Sequence, residues 1–163
     1  MKSSPSSNSG FNVTELMLVV VIASILATIA IPSFASLTRS QRVKNATFEL
    51  YSSLSLARSE AIKRNNDATI TFTTNAKNEL SWVITGFDVD GTTVRTIRKQ
   101  DYIKGLVITP SAGTQIIYHR TGRPAATGTF QIDTSEVTTP TPLVRCVSIE
   151  LSGMPRIRQG VCT

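Results

Sequence analysis

The sequence is poor in the residues that build metal sites and catalytic centres. Its 163 residues include one histidine, His119, and two cysteines, and they contain no Cys-x-x-Cys pair, Gly-rich phosphate loop or nucleophile elbow. A transition-metal site needs several His or Cys ligands, and nucleophilic catalysis needs a base beside the nucleophile. We therefore expect no catalytic residue, no metal site and no cofactor.

Charged residues are also scarce, at 17% of the chain, which argues against a highly charged disordered protein. The net charge of +6 is spread along the sequence: +1 in residues 1–10, +3 in residues 11–65 and +2 in residues 66–163. No segment has the dense basic field of a dedicated nucleic-acid-binding domain, although local clusters are compatible with these values. The length suits one domain, and the mean hydropathy of +0.04 argues against a multi-pass membrane protein.

One long apolar run stands near the N-terminus. Leu16 to Thr38 are 23 residues without a charge, between Glu15 and Arg39. As a helix, the run would be about 35 Å long, enough for a bilayer core of about 30 Å. A secretory signal peptide is the competing interpretation, but it has a shorter apolar stretch, with charges directly before it and a small-residue cleavage site after it. We therefore predict one transmembrane helix.

The start of this run carries a distinctive motif. It reads Gly10-Phe11-Asn12-Val13-Thr14-Glu15-Leu16. The motif, followed by a long apolar helix with a proline further on, resembles the class III signal of type IV pilins and type II secretion pseudopilins. The resemblance implies that a prepilin peptidase cuts after Gly10 on the cytoplasmic face and that the new N-terminal Phe11 is N-methylated. Asn12 and Thr14 stand where that family usually has Thr and an aliphatic residue.

The resemblance also implies that Glu15 neutralises the N-terminus of a neighbouring subunit during assembly. A helix that leaves the bilayer for a helical bundle brings Glu15 into a dry environment, where a partner ammonium offsets the cost of the carboxylate. Glu15 is thus predicted to fix the register between subunits. Pro32 removes an intrahelical hydrogen bond and clashes with the preceding turn, so we expect a kink or local melting there.

The charges that flank the run favour the opposite orientation. Arg39, Arg42 and Lys44 follow the run, whereas only Lys2 and the chain amine precede it. The positive-inside rule would therefore keep the larger C-terminal part in the cytoplasm. The motif requires a cytoplasmic leader instead, and the cysteines favour an oxidising compartment for the rest. We adopt the motif's orientation: a single pass through the inner membrane of a Gram-negative bacterium, with a periplasmic head.

Beyond the run, the sequence predicts an amphipathic helix followed only by strands. Apolar residues recur at helical spacing at positions 43, 46, 50, 54, 57 and 61, and Asn65-Asn66-Asp67 supplies a stop. Short runs rich in Thr, Val and Ile then predict strands at 68–74, 80–87, 93–98, 106–109, 115–119, 128–133 and 143–151. With no helical pattern between them, these strands are expected to form antiparallel sheets.

Three segments of this part resemble the GspH/FimT group of minor pilins and pseudopilins. They are Ser-Leu-Ala-Arg-Ser-Glu-Ala-Ile-Lys-Arg-Asn at 55–65, Tyr-His-Arg-Thr-Gly-Arg at 118–123, and Cys-Val-Ser-Ile at 146–149 leading to Gly153. The resemblance implies an α+β, type IV pilin-like fold, in which a long N-terminal helix packs on an antiparallel β-sheet head. The expected division is a leader at 1–10, a transmembrane helix at 11–38, its amphipathic continuation at 39–65 and a periplasmic β-rich head at 66–163.

The function that the resemblance implies is structural. A minor pilin of this group is processed by prepilin peptidase and built into a type IV pilus, where it primes assembly or sits at the tip outside the cell. The implied partners are other minor and major pilins, the prepilin peptidase, the inner-membrane assembly platform and the lipid bilayer. A type II secretion minor pseudopilin shares the fold and the processing, and it stays an alternative.

The two cysteines, Cys146 and Cys162, stand 16 positions apart. In a periplasmic domain we expect them to form a disulfide that closes the C-terminal segment and contributes about 3 kcal/mol by the loop-entropy model. Two free thiols are the alternative.

The segment 153–160 is predicted to be a C-terminal loop. Arg156 and Arg158 alternate with apolar residues, so in an extended segment both guanidinium groups project to one side. With Arg145 they are candidates for binding the phosphates of double-stranded DNA with salt-sensitive, sequence-independent affinity. FimT-like pilins that capture DNA for natural transformation carry Gly-Arg-x-Arg here, whereas this chain has Gly-Met-Pro-Arg at 153–156. DNA uptake, a solvated basic loop and a contact to a neighbouring pilin therefore all stay open.

Overall fold

The structure is a computed structural model that describes residues 12–88, 91–111, 113–134 and 143–162. Within these residues it contains one helix and eight strands. They are α1 (Val13–Arg64), β1 (Ala68–Thr74), β2 (Leu80–Phe87), β3 (Val94–Gln100), β4 (Leu106–Pro110), β5 (Gln115–Tyr118), β6 (Gly128–Thr134), β7 (Arg145–Ile149) and β8 (Pro155–Gln159). The chain divides into two compact units, one ending at Thr38 and the other running from Arg39 to Thr163, and α1 contributes to both.

The first unit begins with a capped helix end. The side-chain oxygen of Asn12 accepts hydrogen bonds from the backbone nitrogen of Thr14, at 3.5 Å, and from its hydroxyl, at 3.2 Å. The carbonyl of Asn12 accepts from the backbone nitrogen of Glu15 at 3.0 Å. Short polar side chains are favoured at this position because they satisfy a backbone donor of the first turn. The two departures from the usual pilin pattern, Asn12 and Thr14, thus build the start of α1.

The rest of the first unit has the composition of a membrane span. An 18-residue window of α1 has a mean hydropathy of 2.5, and none of it is buried. The hydroxyls of Ser24 and Thr28 donate to the carbonyls of Val20 and Ile25 at 2.7 Å, so these polar groups are satisfied within the helix. The helix continues without a break through Pro32. Local melting at Pro32 is therefore not seen, and the kink stays a prediction.

In the second unit, α1 buries the face that the spacing predicted. Val43, Ala46, Leu50, Leu54, Ala57 and Ala61 are each at most 4% exposed. They pack in one hydrophobic core with residues from both sheets, among them Ile70, Trp82, Phe130 and Val147. The predicted amphipathic stripe is confirmed: it is the face of the helix that packs against the two sheets.

The strands form two antiparallel four-stranded sheets. Their orders are β3-β2-β1-β5 and β4-β6-β7-β8. The ring of Phe72 on β1 lies 4.9 Å from that of Phe130 on β6, centroid to centroid, and 6.4 Å from that of Trp82 on β2. Aromatic contacts therefore join the two sheets. One long helix packed on antiparallel sheets confirms the predicted α+β class.

Two predicted boundaries near the C-terminal end differ from the structure. The predicted C-terminal loop is wrong in part, because Pro155–Gln159 is the edge strand β8, paired with β7 from Arg145↔Gln159 to Ile149↔Pro155. The segment predicted as a strand at 143–151 pairs only over Arg145–Ile149, since a turn begins at Glu150. Edge strands expose one side and a row of backbone groups, so their sequences show little apolar alternation.

Candidate functional site

The predicted assembly residue lies at the exposed start of α1. Glu15 is in the first turn of the helix, where a carboxylate interacts favourably with the helix dipole. Apolar side chains surround it along the chain, including Leu16 and Met17, which are 58% and 66% exposed. Glu15 is thus a single carboxylate on an exposed apolar part of the helix. Gly10 and Phe11, the predicted processing residues, lie outside the described residues.

The disulfide joins β7 to the C-terminal end of the chain. Cys146 and Cys162 are bonded, with 5.2 Å between their Cα atoms. Cys146 is buried on β7 opposite Arg158 of β8, whereas Cys162 follows the end of β8. The bond therefore closes a loop that contains β8 and all of β7 except Arg145, and the expectation of two paired cysteines is confirmed.

Strand β8 carries two of the three predicted phosphate-binding arginines on one face. Arg156 pairs with Ser148 and Arg158 with Cys146 across the hairpin, so both side chains lie on the same side of the sheet. Both are exposed, and the Arg156 guanidinium lies 2.9 Å from the carboxylate of Glu150. No side-chain hydrogen bond or ion pair of Arg158 occurs among the described residues.

The structure does not bring Arg145 to that face. Arg145 lies opposite Gln159 and alternates with Cys146, so strand geometry places it on the other side of the sheet. There it lines a cavity with Ser40 and Val43 of α1. The three arginines predicted as one patch are therefore two exposed residues on β8 and a separate, half-buried one on β7.

Two aromatic residues of α1, which the sequence analysis did not select, border the β8 arginines. Phe48, 59% exposed, and Tyr51 line a groove of about 540 Å³ together with Pro155, Ile157 and the two arginines. Phe48 interrupts the polar side of the helix, and an exposed aromatic residue there was the available signal. Together these residues form a basic, partly aromatic surface along an open sheet edge.

A second cluster joins the three segments that carried the sequence resemblance. From α1, Arg58 donates to the carbonyl of Gly122 at 3.1 Å, and its guanidinium lies 3.4 Å from the sulfur of Met154. Gly122 and Gly153 both have positive φ, at 76° and 81°, and their turns touch. We call Arg58, Gly122, Gly153 and Met154 the clasp. The residue that replaces the motif arginine, Met154, is thus a contact within this clasp.

Several titratable groups of the head are buried or hydrogen-bonded to neighbouring residues. Burial raises the pKa of the Tyr118 hydroxyl, while the charge of Arg58 acts in the opposite direction. A hydrogen bond from Asn75, helped by the backbone of Gly105, lowers the pKa of Glu79. His119 and Asp67, 3.2 Å apart, form an exposed pair. Among the described residues no three His, Cys, Asp or Glu side chains are grouped as metal ligands.

Comparisons with known proteins agree with this architecture. Residues 46–153 match the family model described as "Type II transport protein GspH". Two crystal structures of the type IV minor pilin FimU from Pseudomonas aeruginosa are similar. One is 24% identical and covers 77% of this chain and 92% of its own, with a TM-score of 0.55. The other is 25% identical, covers 72% of this chain and 92% of its own, and has a TM-score of 0.52.

A third solved structure belongs to a secretion system. The minor pseudopilin EpsH from the Type 2 Secretion System of Vibrio cholerae is 16% identical, covers 72% of this chain and 97% of its own, and has a TM-score of 0.56. The search of curated proteins gave no match. The family match ends at Gly153, so strand β8 with its two arginines lies beyond it.

Proposed function

The chain belongs to the GspH family, and we propose that within this family of minor pilins and pseudopilins it is a type IV minor pilin that primes assembly or sits at the pilus tip. As members of a structural family, such chains are not enzymes. The observation that carries the proposal is the bare apolar half of α1 with a single carboxylate, Glu15, in its first turn. The likeness to FimU, at 24–25% identity against 16% for EpsH, supports a pilus over a secretion system.

In this proposal the apolar half of α1 has two successive environments. It first anchors the subunit in the inner membrane with the head in the periplasm, and the prepilin peptidase removes residues 1–10. At the assembly platform the helix then moves into a bundle of pilin helices. There Glu15 meets the amino group of a neighbouring subunit, because a carboxylate without a partner is costly in a dry interior.

Glu15→Ala is expected to remove the chain from the pilus. Breaking one partner of a buried ion pair costs about 3–5 kcal/mol, so incorporation should fall by about 100-fold or more. The measurement is copurification with other minor pilins and the number of surface pili in cells. Glu15→Gln, which keeps the shape and removes the charge, should behave like Glu15→Ala.

Asp101→Asn is the matched control for the loss of a carboxylate, since Asp101 is an exposed head residue. It should leave copurification unchanged. Processing at Gly10 and membrane insertion, followed by immunoblot, should be the same in all variants. Normal piliation together with unaltered copurification of Glu15→Ala would rule out the assembly role.

A second candidate function is DNA capture, which is favoured by the two arginines that share one face of β8. Arg156 and Arg158 project from the same exposed face, beside the aromatic groove formed with Phe48 and Tyr51. Such a surface suits the phosphates of a DNA duplex, because each arginine can bind a phosphate with several donors. The Glu150 carboxylate beside Arg156 opposes this attraction.

The double variant Arg156→Ala/Arg158→Ala tests DNA capture. With the wild-type chain in detergent, we expect micromolar binding that weakens with salt, and in the variant a slope of log affinity against log salt smaller by about 2. Fluorescence anisotropy with labelled duplex at low and near-physiological salt gives both values. Lys77→Ala, which removes an exposed charge in the β1–β2 turn, is the control. Equal affinity and equal transformation for the wild type and the double variant would refute DNA capture.

A further inference from the structure

In the described part of the chain, β8 is the last strand of its sheet, so one of its edges is open. It pairs with β7 in the order β4-β6-β7-β8. The backbone nitrogen of Gly160 donates to the carbonyl of Val144 at 2.9 Å. Directly bonded pairs recur at every second residue of an antiparallel ladder, so Arg158 and Arg156 also direct their backbone groups toward β7. The N–H and C=O of Ile157, which lies between them, therefore point to the open edge.

The two faces of this open edge differ in chemistry. Arg156 and Arg158 are exposed on the outer face of the sheet, whereas Ile157 alternates with them and packs against the core. On the inner side lies α1, where Phe48 and Tyr51 line the groove of about 540 Å³ beside β8. We call this groove along β8 the edge groove. An extended segment placed in it would direct alternate side chains to the arginines and to the aromatic rings.

The charge of the edge groove selects the kind of segment that fits. Two copies of this chain paired through their β8 edges would bring arginines beside arginines, and like charges on neighbouring strands are destabilising. Acidic side chains would instead lie within reach of both guanidinium groups. Arg156 is already 2.9 Å from the carboxylate of Glu150, but a guanidinium has five donors and can serve two carboxylates. The partner is therefore an acidic segment and not a second copy.

Pro155 limits the pairing at one end of the edge groove. It lies two positions before Ile157, so its backbone nitrogen also faces the open edge, and this nitrogen carries no hydrogen. Proline on an edge strand is one of the devices by which proteins limit unwanted pairing. An added strand thus gains few backbone hydrogen bonds here. Its side chains must supply much of the affinity, which makes binding selective for one pattern of residues.

We propose that the edge groove binds an extended acidic segment of a neighbouring subunit, which adds a fifth strand to the sheet β4-β6-β7-β8. In this segment carboxylates beside Arg156 and Arg158 alternate with apolar side chains on Phe48 and Tyr51. Main-chain hydrogen bonds contribute to the affinity of such added strands, and the alternate side chains give specificity. The inference rests on the proposed assembly function, because the segment comes from a neighbour in the pilus, but it uses the head and not Glu15.

The test uses the full chain in non-ionic detergent and a fluorescein-labelled peptide, Thr-Val-Glu-Val-Glu-Val-Thr, as the probe in fluorescence anisotropy. The wild type should bind it, and should bind the peptide with Gln in place of Glu about tenfold more weakly. Only every second N–H of an added strand faces β8. N-methylation of the valines and N-methylation of the glutamates should therefore differ: one weakens binding at least tenfold, and the other leaves it unchanged.

Exposed positions of the chain supply the matching variants. Arg156→Gln/Arg158→Gln should weaken the acidic peptide about tenfold and leave the neutral peptide unchanged. Phe48→Ser should weaken both peptides about threefold, because it removes apolar contact area that is independent of charge. Glu150→Gln frees donors of Arg156 and should strengthen binding of the acidic peptide about threefold. Lys77→Gln, an exposed charge in the β1–β2 turn, is the control and should match the wild type.

Three results would overturn the added strand. They are equal affinities for the acidic and neutral peptides, equal effects of the two N-methylations, and unchanged binding by the double arginine variant. Duplex DNA that binds the wild type when the acidic peptide does not would also overturn it and would assign the edge groove to nucleic acid. Glu15→Ala should bind the peptide as the wild type does, so the added strand and the assembly role can fail independently.

Discussion

Gly153→Ala is expected to destabilise the head by about 3–5 kcal/mol. At Gly153 φ is 81°, and a left-handed conformation costs an alanine about 1–2 kcal/mol. A Cβ atom there would also overlap the carbonyl oxygen of Gly122, which is backbone and cannot rotate away. The clasp must then open, and the hydrogen bond from Arg58 to that same carbonyl is lost with it.

Urea unfolding of the detergent-solubilised chain measures this effect. Trp82 is the only tryptophan and is fully buried in the head, so its fluorescence reports on unfolding of that unit. Gly113→Ala is the control, because Gly113 has a φ of 76° and no described residue beyond its chain neighbours comes within 4 Å of the added Cβ. Gly113→Ala should lower the free energy of unfolding only by the cost of a left-handed alanine, about 1–2 kcal/mol. A Gly153→Ala cost no larger than that of Gly113→Ala would show that the two glycine turns do not need their close approach.

Cys162→Ser is expected to lower the free energy of unfolding by about 3 kcal/mol. Opening a loop between residues 16 positions apart returns conformational entropy to the unfolded chain. Position 162 is the better one to change, because Cys146 is buried and a serine there would add an unpaired hydroxyl to the core.

The same urea titration, with and without dithiothreitol, contains its own control. The reductant should shift the wild-type midpoint to that of Cys162→Ser and leave the variant unchanged. Equal midpoints for the oxidised wild type and Cys162→Ser would contradict a stabilising role for the bond. A reductant effect on the variant would show that the reductant acts by some route other than this bond, since Cys146 is the variant's only remaining cysteine and no intramolecular disulfide can form.

The sequence predicts the fold well where one residue pattern decides the structure. The buried face of α1 follows from apolar residues at spacings of three and four, and strands β1 and β2 are found at their predicted bounds. The sequence predicts a loop at 153–160, but Pro155–Gln159 within it is strand β8. Its strand conformation depends on pairing with β7, which is a tertiary contact and is not encoded in local propensity.

The candidate site is predicted less completely, because its contacts join distant parts of the chain. Arg58 contacts Gly122 and Met154, 64 and 96 residues away, and no spacing rule shows that the three resemblance segments meet. The pairing register decides that Arg145 lies on the opposite face from Arg156 and Arg158. The positions of these residues were therefore known from the sequence, but their grouping was not.

The hydrogen bonds within the apolar half of α1 have a consequence for exchange between environments. The hydroxyls of Ser24, Thr28 and Thr38 each donate to a carbonyl of the same helix. A polar side chain satisfied in this way keeps its bond when its surroundings change from lipid to protein. In the assembly route proposed above, these three groups therefore add no barrier when the helix passes from lipid to protein, whereas Glu15, the one charged residue between positions 12 and 38, needs a new partner. The proposal thus gives the transfer a direction: it is reversible until the carboxylate is neutralised, and held afterwards.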